Sequence, residues 1–361
     1  MNSLIELYRQ HAGKVSDKWM LYLTEYDRLL SGYREQQISL LEIGVQNGGS
    51  LEVWGKYFPQ ARHFIGCDIN QDCSVLSYDD PRISLILSDA NSDAAELQIA
   101  SIAPLFDVII DDGSHTSADI VRSFARYFER LKEGGLFIVE DLHCSYWQEF
   151  QGGLYYPYSS QAFFKKLADI VNHEFWGIEK SRVSFLDGFA AEFGCRFEES
   201  VLAKVHSVEF INSMCVIRKY APEMNVLGGR FIAGTKEQVV PGHLELKGVH
   251  LVGPSQTGNT WSALEKAPEE MWAPLRTELA RVQEQVTSLQ AQQMEMVKRS
   301  DADASFIQQL RSRVELLDAE LNEWSAKAAT QQQRVSEILG SRSWKITAPL
   351  RMLAGLLRRK P

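Results

Sequence analysis

The stretch "VIIDDGSHTS", residues 108–117, runs an apolar segment straight into two carboxylates, a glycine, a serine and a histidine. A second stretch, "GGLFIVEDLHCSYW" (134–147), ends its apolar run in the same way, at Glu140 and Asp141. If the two runs are neighbouring strands, Asp112, Glu140 and Asp141 converge, and three carboxylates so close repel unless a cation neutralises them. Oxygen-only donors favour a hard divalent ion, so these three are expected to hold Mg²⁺, with water or substrate completing six-coordination. His115, three residues past Asp112, falls where a general base can reach a hydroxyl on that ion. For Asp111, helix capping, a common aspartate role, or a contact to a cofactor is expected.

A cofactor site is suggested by the preceding strand ends. "LLEIGVQNGGS" (40–50) is a strand followed by a glycine turn, in which Gly44, Gly48 and Gly49 permit close approach of a ligand to bare backbone. The spacing is not the GxGxxG dinucleotide fingerprint, and Glu42 ahead of the first glycine suits S-adenosylmethionine better. Asp68 closes "FIGCDIN", where a carboxylate can accept ribose hydroxyls, and "LILSDANSD" sets Asp89 and Ala90 to flank an adenine.

The elements that must position these groups are legible as alternation. Apolar runs at 39–43, 63–67, 83–87, 106–110 and 136–139 are separated by gaps long enough for crossover helices. This predicts an α/β fold, a doubly wound, mostly parallel seven-stranded sheet of Rossmann-like type, completed by runs near 182–185 and 208–217. Residues 1–38 read as one or two helices packed on the first strand, 39–222 as the domain itself, and 223–270 as an irregular extension with a short hairpin. From 271 to 340 apolar residues step by four and three, among them Leu275, Leu279, Leu289, Leu317, Leu321 and Ile338. Such heptads predict a long coiled coil and a homo-oligomer, or a long amphipathic helix folded back on the domain, or two shorter helices broken near Ser300 and Asp303. Residues 341–361 mix leucines with Arg and Lys as a basic amphipathic tail.

A formal charge of −9 gives no overall basic footprint and argues against a nucleic-acid binder. Five cysteines without CxxC or zinc-like spacing suit a reducing compartment. No signal peptide and no run of eighteen apolar residues is evident, so a cytoplasmic location is expected.

With these motifs in view, "LLEIGVQNGGS", "IDDGSH" and "EDLHCSYW", with Glu140 twenty-eight positions after Asp112, resemble the metal-dependent sugar O-methyltransferases of macrolide biosynthesis. That group is related to proteins called cephalosporin hydroxylases. The segment "SDKW…Y…EYDRLL" (16–30) is similar to what precedes the first strand there, and the resemblance spans about residues 10–220. It implies a class I methyltransferase fold, S-adenosylmethionine and Mg²⁺ as cofactors, Asp112, Glu140 and Asp141 as metal ligands and His115 as base. Cys144 stands where relatives often have Thr. His143 and Tyr146 either line the acceptor pocket or pack in the core. The coiled coil and tail depart from the small-molecule enzymes. "SRSWKITAPLRMLAGLLRRK" (341–360) resembles tails of bacterial surface-polysaccharide enzymes, which implies a glycan acceptor. It also implies a docking role for 341–361, on a glycosyltransferase partner or on the anionic inner face of the membrane.

Overall fold

The computed structural model describes residues 2–299, 304–342 and 346. Seven strands form one sheet: β1 (Ser39–Ile43), β2 (His63–Asp68), β3 (Ile83–Leu87), β4 (Phe106–Asp111), β5 (Leu131–Val139), β6 (Val205–Ile211) and β7 (Met214–Lys219). Their order is β3-β2-β1-β4-β5-β7-β6. The first five pair in parallel, and β7 lies antiparallel between β5 and β6. Helices α1 (Leu4–Arg9), α2 (Met20–Leu30) and α3 (Gly49–Tyr57) precede or follow β1. Between the later strands come α4 (Asp93–Ile102), α5 (Ser117–Tyr127), α6 (Ser160–Ile170), α7 (Arg182–Phe185), α8 (Asp187–Phe193) and α9 (Glu199–Leu202).

Adjacent strand residues feed opposite faces, as the two-residue strand period requires. Leu41, Ile109 and Phe137 join the aromatic core around Phe124, Phe163 and Phe164 of α5 and α6. Leu40, Val108 and Ile138 join the core of Tyr22, Tyr26 and Trp54 from α2 and α3. Both faces of the sheet are therefore covered, which is why every residue of β1 is buried. The expected N-terminal helices pack on this second face.

Three readings of the later chain differ from the structure. Residues 182–185 are helix, not strand: Ser181 caps them by accepting from Ser184 N, and Arg182 pairs with Glu199 at 2.7 Å. The run at 208–217 is two strands, because Asn212 and Ser213 (φ 67°) turn β6 back into β7. Within 223–270 the expected hairpin is reduced to a single antiparallel bridge, Gly229 with His250. The five cysteines are free.

The described residues from Met271 onward belong to a second unit. Its described helices are α10 (Pro268–Arg299), which starts within the first unit's last residues, and α11 (Ala304–Gly340). Leu275, Leu279, Leu289, Val335 and Ile338 of the heptad pattern are exposed. The expected polar break at Ser300 and Asp303 lies outside the described residues, as does the tail reading of 341–361 apart from Ser341, Arg342 and Ile346. No described helix is long and apolar enough to cross a membrane.

Candidate active site

At the carboxyl ends of β1, β2, β3 and β4 lies a cavity of about 440 Å³, the edge where open α/β sheets bind ligands. On its cofactor side it is lined by Gly44, Asp68, Asp89 and Ala90. Gly44 adopts φ 89°, and a Cβ there would fall 2.0 Å from the Asp112 carbonyl oxygen. Only glycine lets the two strand ends close together. Gly48, at φ 82°, caps α3, and its absent Cβ leaves room for the Tyr78 hydroxyl. Asp68 holds this turn in place: one oxygen accepts from Val45 N (2.8 Å) and Gln46 N (3.0 Å), the other from Asn70 N (2.8 Å). Glu42 does not line the cavity. Fully buried, it accepts from Ser50 Oγ at 2.7 Å and from Trp54 Nε1 at 3.4 Å, and burial pushes its carboxyl up.

On the acid side the structure brings Asp112, His115 and Asp141 together. One donor atom from each lies within 4.8 Å of the others, and His115 Nε2 stands 3.9 Å from Asp112 Oδ1 and 3.7 Å from Asp141 Oδ2. The Asp112 and Asp141 carboxylates are the hard oxygen donors that an ion such as Mg²⁺ takes, and His115 Nε2 stands beside them, free to meet a hydroxyl. Glu140 meets Asp112 through Lys18. Its buried carboxylate accepts from Lys18 Nζ (2.7 Å) and the Tyr26 hydroxyl. Asp111 is not a helix cap; Thr116 caps α5 instead, accepting from Asp119 N. Asp111 ends β4 at 4% exposure, faces the cavity, and burial pushes its carboxyl up to about 7.

Four residues of the N-terminal segment complete the acid side, and the sequence reading did not assign them there. Lys18, its side chain 2% exposed, bonds Asp112 as well as Glu140 and lies 3.8 Å from Glu42. Trp19 Nε1 donates to Asp141 Oδ1 at 2.9 Å. The Tyr22 hydroxyl donates to Asp141 Oδ1 (2.9 Å) and accepts from Asp141 N (3.0 Å), and Tyr26 reaches Glu140. The available signal was the spacing of Tyr22 and Tyr26, four apart on one helix face, since a buried tyrosine hydroxyl needs a polar partner. His143 is half-buried between Trp19 and Trp147 and meets Ser213 Oγ, while Tyr146 is exposed. Neither residue lies in the core.

Among the described residues, five non-glycine residues have positive φ, and three of them line this cavity: Gln46 (50°), His115 (57°) and Asp141 (51°). Left-handed backbone at non-glycine residues costs energy and persists where surroundings enforce it, commonly at functional sites.

No family model matches the chain. It is 35% identical over 168 residues to 8-demethyl-8-alpha-L-rhamnosyl tetracenomycin-C 2'-O-methyltransferase of Streptomyces olivaceus, covering 44% of this chain and 43% of that protein. To mycinamicin VI 2''-O-methyltransferase of Micromonospora griseorubida it is 37% identical over 164 residues, 42% of this chain and 40% of that one. The chain thus spans less than half the length of these curated relatives. Among solved structures, the MycE methyltransferase in complex with Mg, SAH and mycinamycin VI superposes with a TM-score of 0.51 and 28% identity. That match covers 62% of this chain and 54% of MycE. Strand order, the antiparallel seventh strand and this superposition agree: the chain has the class I methyltransferase fold, followed by long C-terminal helices.

Proposed function

We propose that this chain transfers the methyl group of S-adenosylmethionine to a sugar hydroxyl with the help of a divalent ion, Mg²⁺ by the oxygen donors of Asp112 and Asp141. The observation that carries this reading is the continuity of one cavity, from Gly44, Asp68 and Asp89 to the Asp112–His115–Asp141 group. The similarity to sugar O-methyltransferases supports it. When bound, the cofactor supplies an electrophilic methyl and the ion lowers the pKa of a nearby hydroxyl. Gly44, Asp68, Asp89, Ala90 and Asp111 would line the cofactor. Glu42, through Ser50, and Gly48 would shape the turn. Asp112 and Asp141 would hold the ion, with Glu140 buttressing Asp112 through Lys18. His115 Nε2 would take the hydroxyl proton as the methyl transfers.

The finer reading is a glycan of the bacterial surface as acceptor, with α10 and α11 associating as a homo-oligomeric coiled coil. The exposed heptad residues Leu275, Leu279 and Val335 support association. The basic tail would then meet a glycosyltransferase or an anionic membrane from the cytoplasm. A catalytically silent docking protein on the same coiled coil is the competing reading. The enforced backbone at His115 and Asp141 favours the enzyme, since a scaffold has no use for it.

Calorimetric titration with S-adenosylmethionine, followed by a methyl-transfer assay on a rhamnosyl glycoside and on surface glycan, tests this. Wild type should bind the cofactor and transfer only with Mg²⁺ present. Asp112→Asn should bind the cofactor and fail to transfer. No cofactor binding by wild type, with or without Mg²⁺, would move the assignment to the scaffold.

A further inference from the structure

We propose that Lys18 is the resident counter-cation of the metal-free site, a positioning residue whose ammonium competes with the divalent ion for the charge of Asp112 and Glu140. This rests on the metal-dependent reading above and adds to it the group that must yield when the ion arrives.

The geometry is that of a cation in a carboxylate cage. Lys18 Nζ bonds Asp112 Oδ2 and Glu140 Oε1 and lies 3.8 Å from Glu42 Oε1, with its side chain 2% exposed. An ammonium has three donors and no acceptor, and all its charged neighbours at this range are acids. Without it, Glu42 and Glu140, both essentially inaccessible to water, would face Asp112 with no neutralising charge, an arrangement that buried carboxylates do not sustain. Asp112 is divided between two tasks. Its Oδ2 is taken by Lys18, and its Oδ1 faces His115 on the open side, where Asp141 also stands. A divalent ion seated there draws on the same Asp112 charge and repels the ammonium behind it.

Lys18 is also tied to the cofactor side. Residues 13–18 cross the glycine turn, with Gly49 N donating to Val15 O (3.1 Å) and Lys14 Nζ pairing with Glu52 (2.7 Å). Val15, Ser16, Asp17 and Lys18 form part of the cavity wall. The same strap therefore borders the methyl donor's place and carries the counter-charge of the ion's place.

A ligand that binds the folded state stabilises it by an amount set by its affinity, so competition has a signature. Lys18→Met should melt well below wild type in EDTA. Saturating Mg²⁺ should close more than half of that gap, and the variant should bind Mg²⁺ at least about tenfold more tightly by calorimetry, in line with the loss of one nearby charge. An equal gap with and without Mg²⁺, together with unchanged Mg²⁺ affinity, would make Lys18 a structural anchor only and overturn the inference. If the variant is unfolded in EDTA, recovery of its circular dichroism on adding Mg²⁺ supports the proposal and failure to recover overturns it. Binding of Mg²⁺ by neither protein would instead remove the metal-dependent reading, and this inference with it.

Discussion

On the β1–β3 side of the cavity the polar atoms belong to the turns that follow the strands themselves. Asp68 reaches back to Val45 N and Gln46 N, and Gly44 and Gly48 supply the backbone that no other residue adopts cheaply. On the β4–β5 side the strands deliver only bare acids. Residues from far away orient them: Lys18 and Tyr26 at Glu140, Trp19 and Tyr22 at Asp141. The cofactor side is built mainly by the strand ends and their turns, with residues 15–18 of the N-terminal segment added along its wall. The acid side is a tertiary structure that exists only when the N-terminal helices have docked.

That contrast can be broken or sharpened by mutation. After the loss of transfer expected for Asp112→Asn, the largest effect is expected at His115. His115→Ala should lower turnover by about 10²- to 10⁴-fold and leave S-adenosylmethionine affinity nearly unchanged, read by steady-state kinetics and calorimetry side by side. Loss of cofactor binding instead would show that the two sides are not separable. Gly44→Ala is the exception built into the comparison, because its Cβ would strike the Asp112 carbonyl. It should cost turnover on the order of 10²-fold through misplacement and weaken both cofactor and Mg²⁺ binding. Asp68→Asn should act on the cofactor side alone, with affinity for S-adenosylmethionine falling about tenfold to a hundredfold as charge-assisted bonds weaken and Mg²⁺ affinity retained.

Smaller effects test the anchoring. Tyr26→Phe removes a donor from the buried Glu140 carboxylate and should reduce stability in urea by about 1–3 kcal/mol, with the cofactor side intact. Lys219 lies outside both sides and serves as the control. Burial, reinforced by Lys204, brings its amine down to about 8 from an ordinary 10.5, while it donates to Glu129 O and Leu131 O. Below about pH 8 both the folded and unfolded states keep the proton and the penalty of burying the charge is complete. Between about 8 and 10.5 the unfolded chain binds the proton that the folded one has lost, so stability gains with rising pH. Lys219→Met should lack that gain when its urea midpoints at pH 7.5 and 10 are compared with wild type.

The same division explains what could be read from the sequence. Four of the first five strands were legible nearly to the residue, because each is an apolar run bounded by turn formers, and the acids fell at their ends; β5 starts earlier than its core run suggests, at Leu131. The stretch at 182–185 was misread because four residues, Arg-Val-Ser-Phe, satisfy either period, and the cap at Ser181 decided it. The hairpin at 205–219 was hidden inside one apolar run, with only Asn212-Ser213 to mark the turn. Within the site, Asp112, His115 and Asp141 were visible as types and spacing. The bond of Glu140 to Lys18 was not, since the two stand 122 positions apart. Glu42 likewise looked like a ligand contact and proved to be a buried support for Ser50 and Trp54.

The hydroxyl of Tyr22 also meets Ser213 in the β6–β7 turn, so Asp141 is clasped between a residue near the start of the domain and one near its end. In the order of synthesis, every acid of the site is made before the turn that fixes the last of them. A chain cut short before residue 213 keeps Trp19 and Tyr22 against Asp141 but lacks the Ser213 partner of the Tyr22 hydroxyl. The turn between the last two strands is thus part of the acid side's support, although it lies 72 residues beyond Asp141 in the chain.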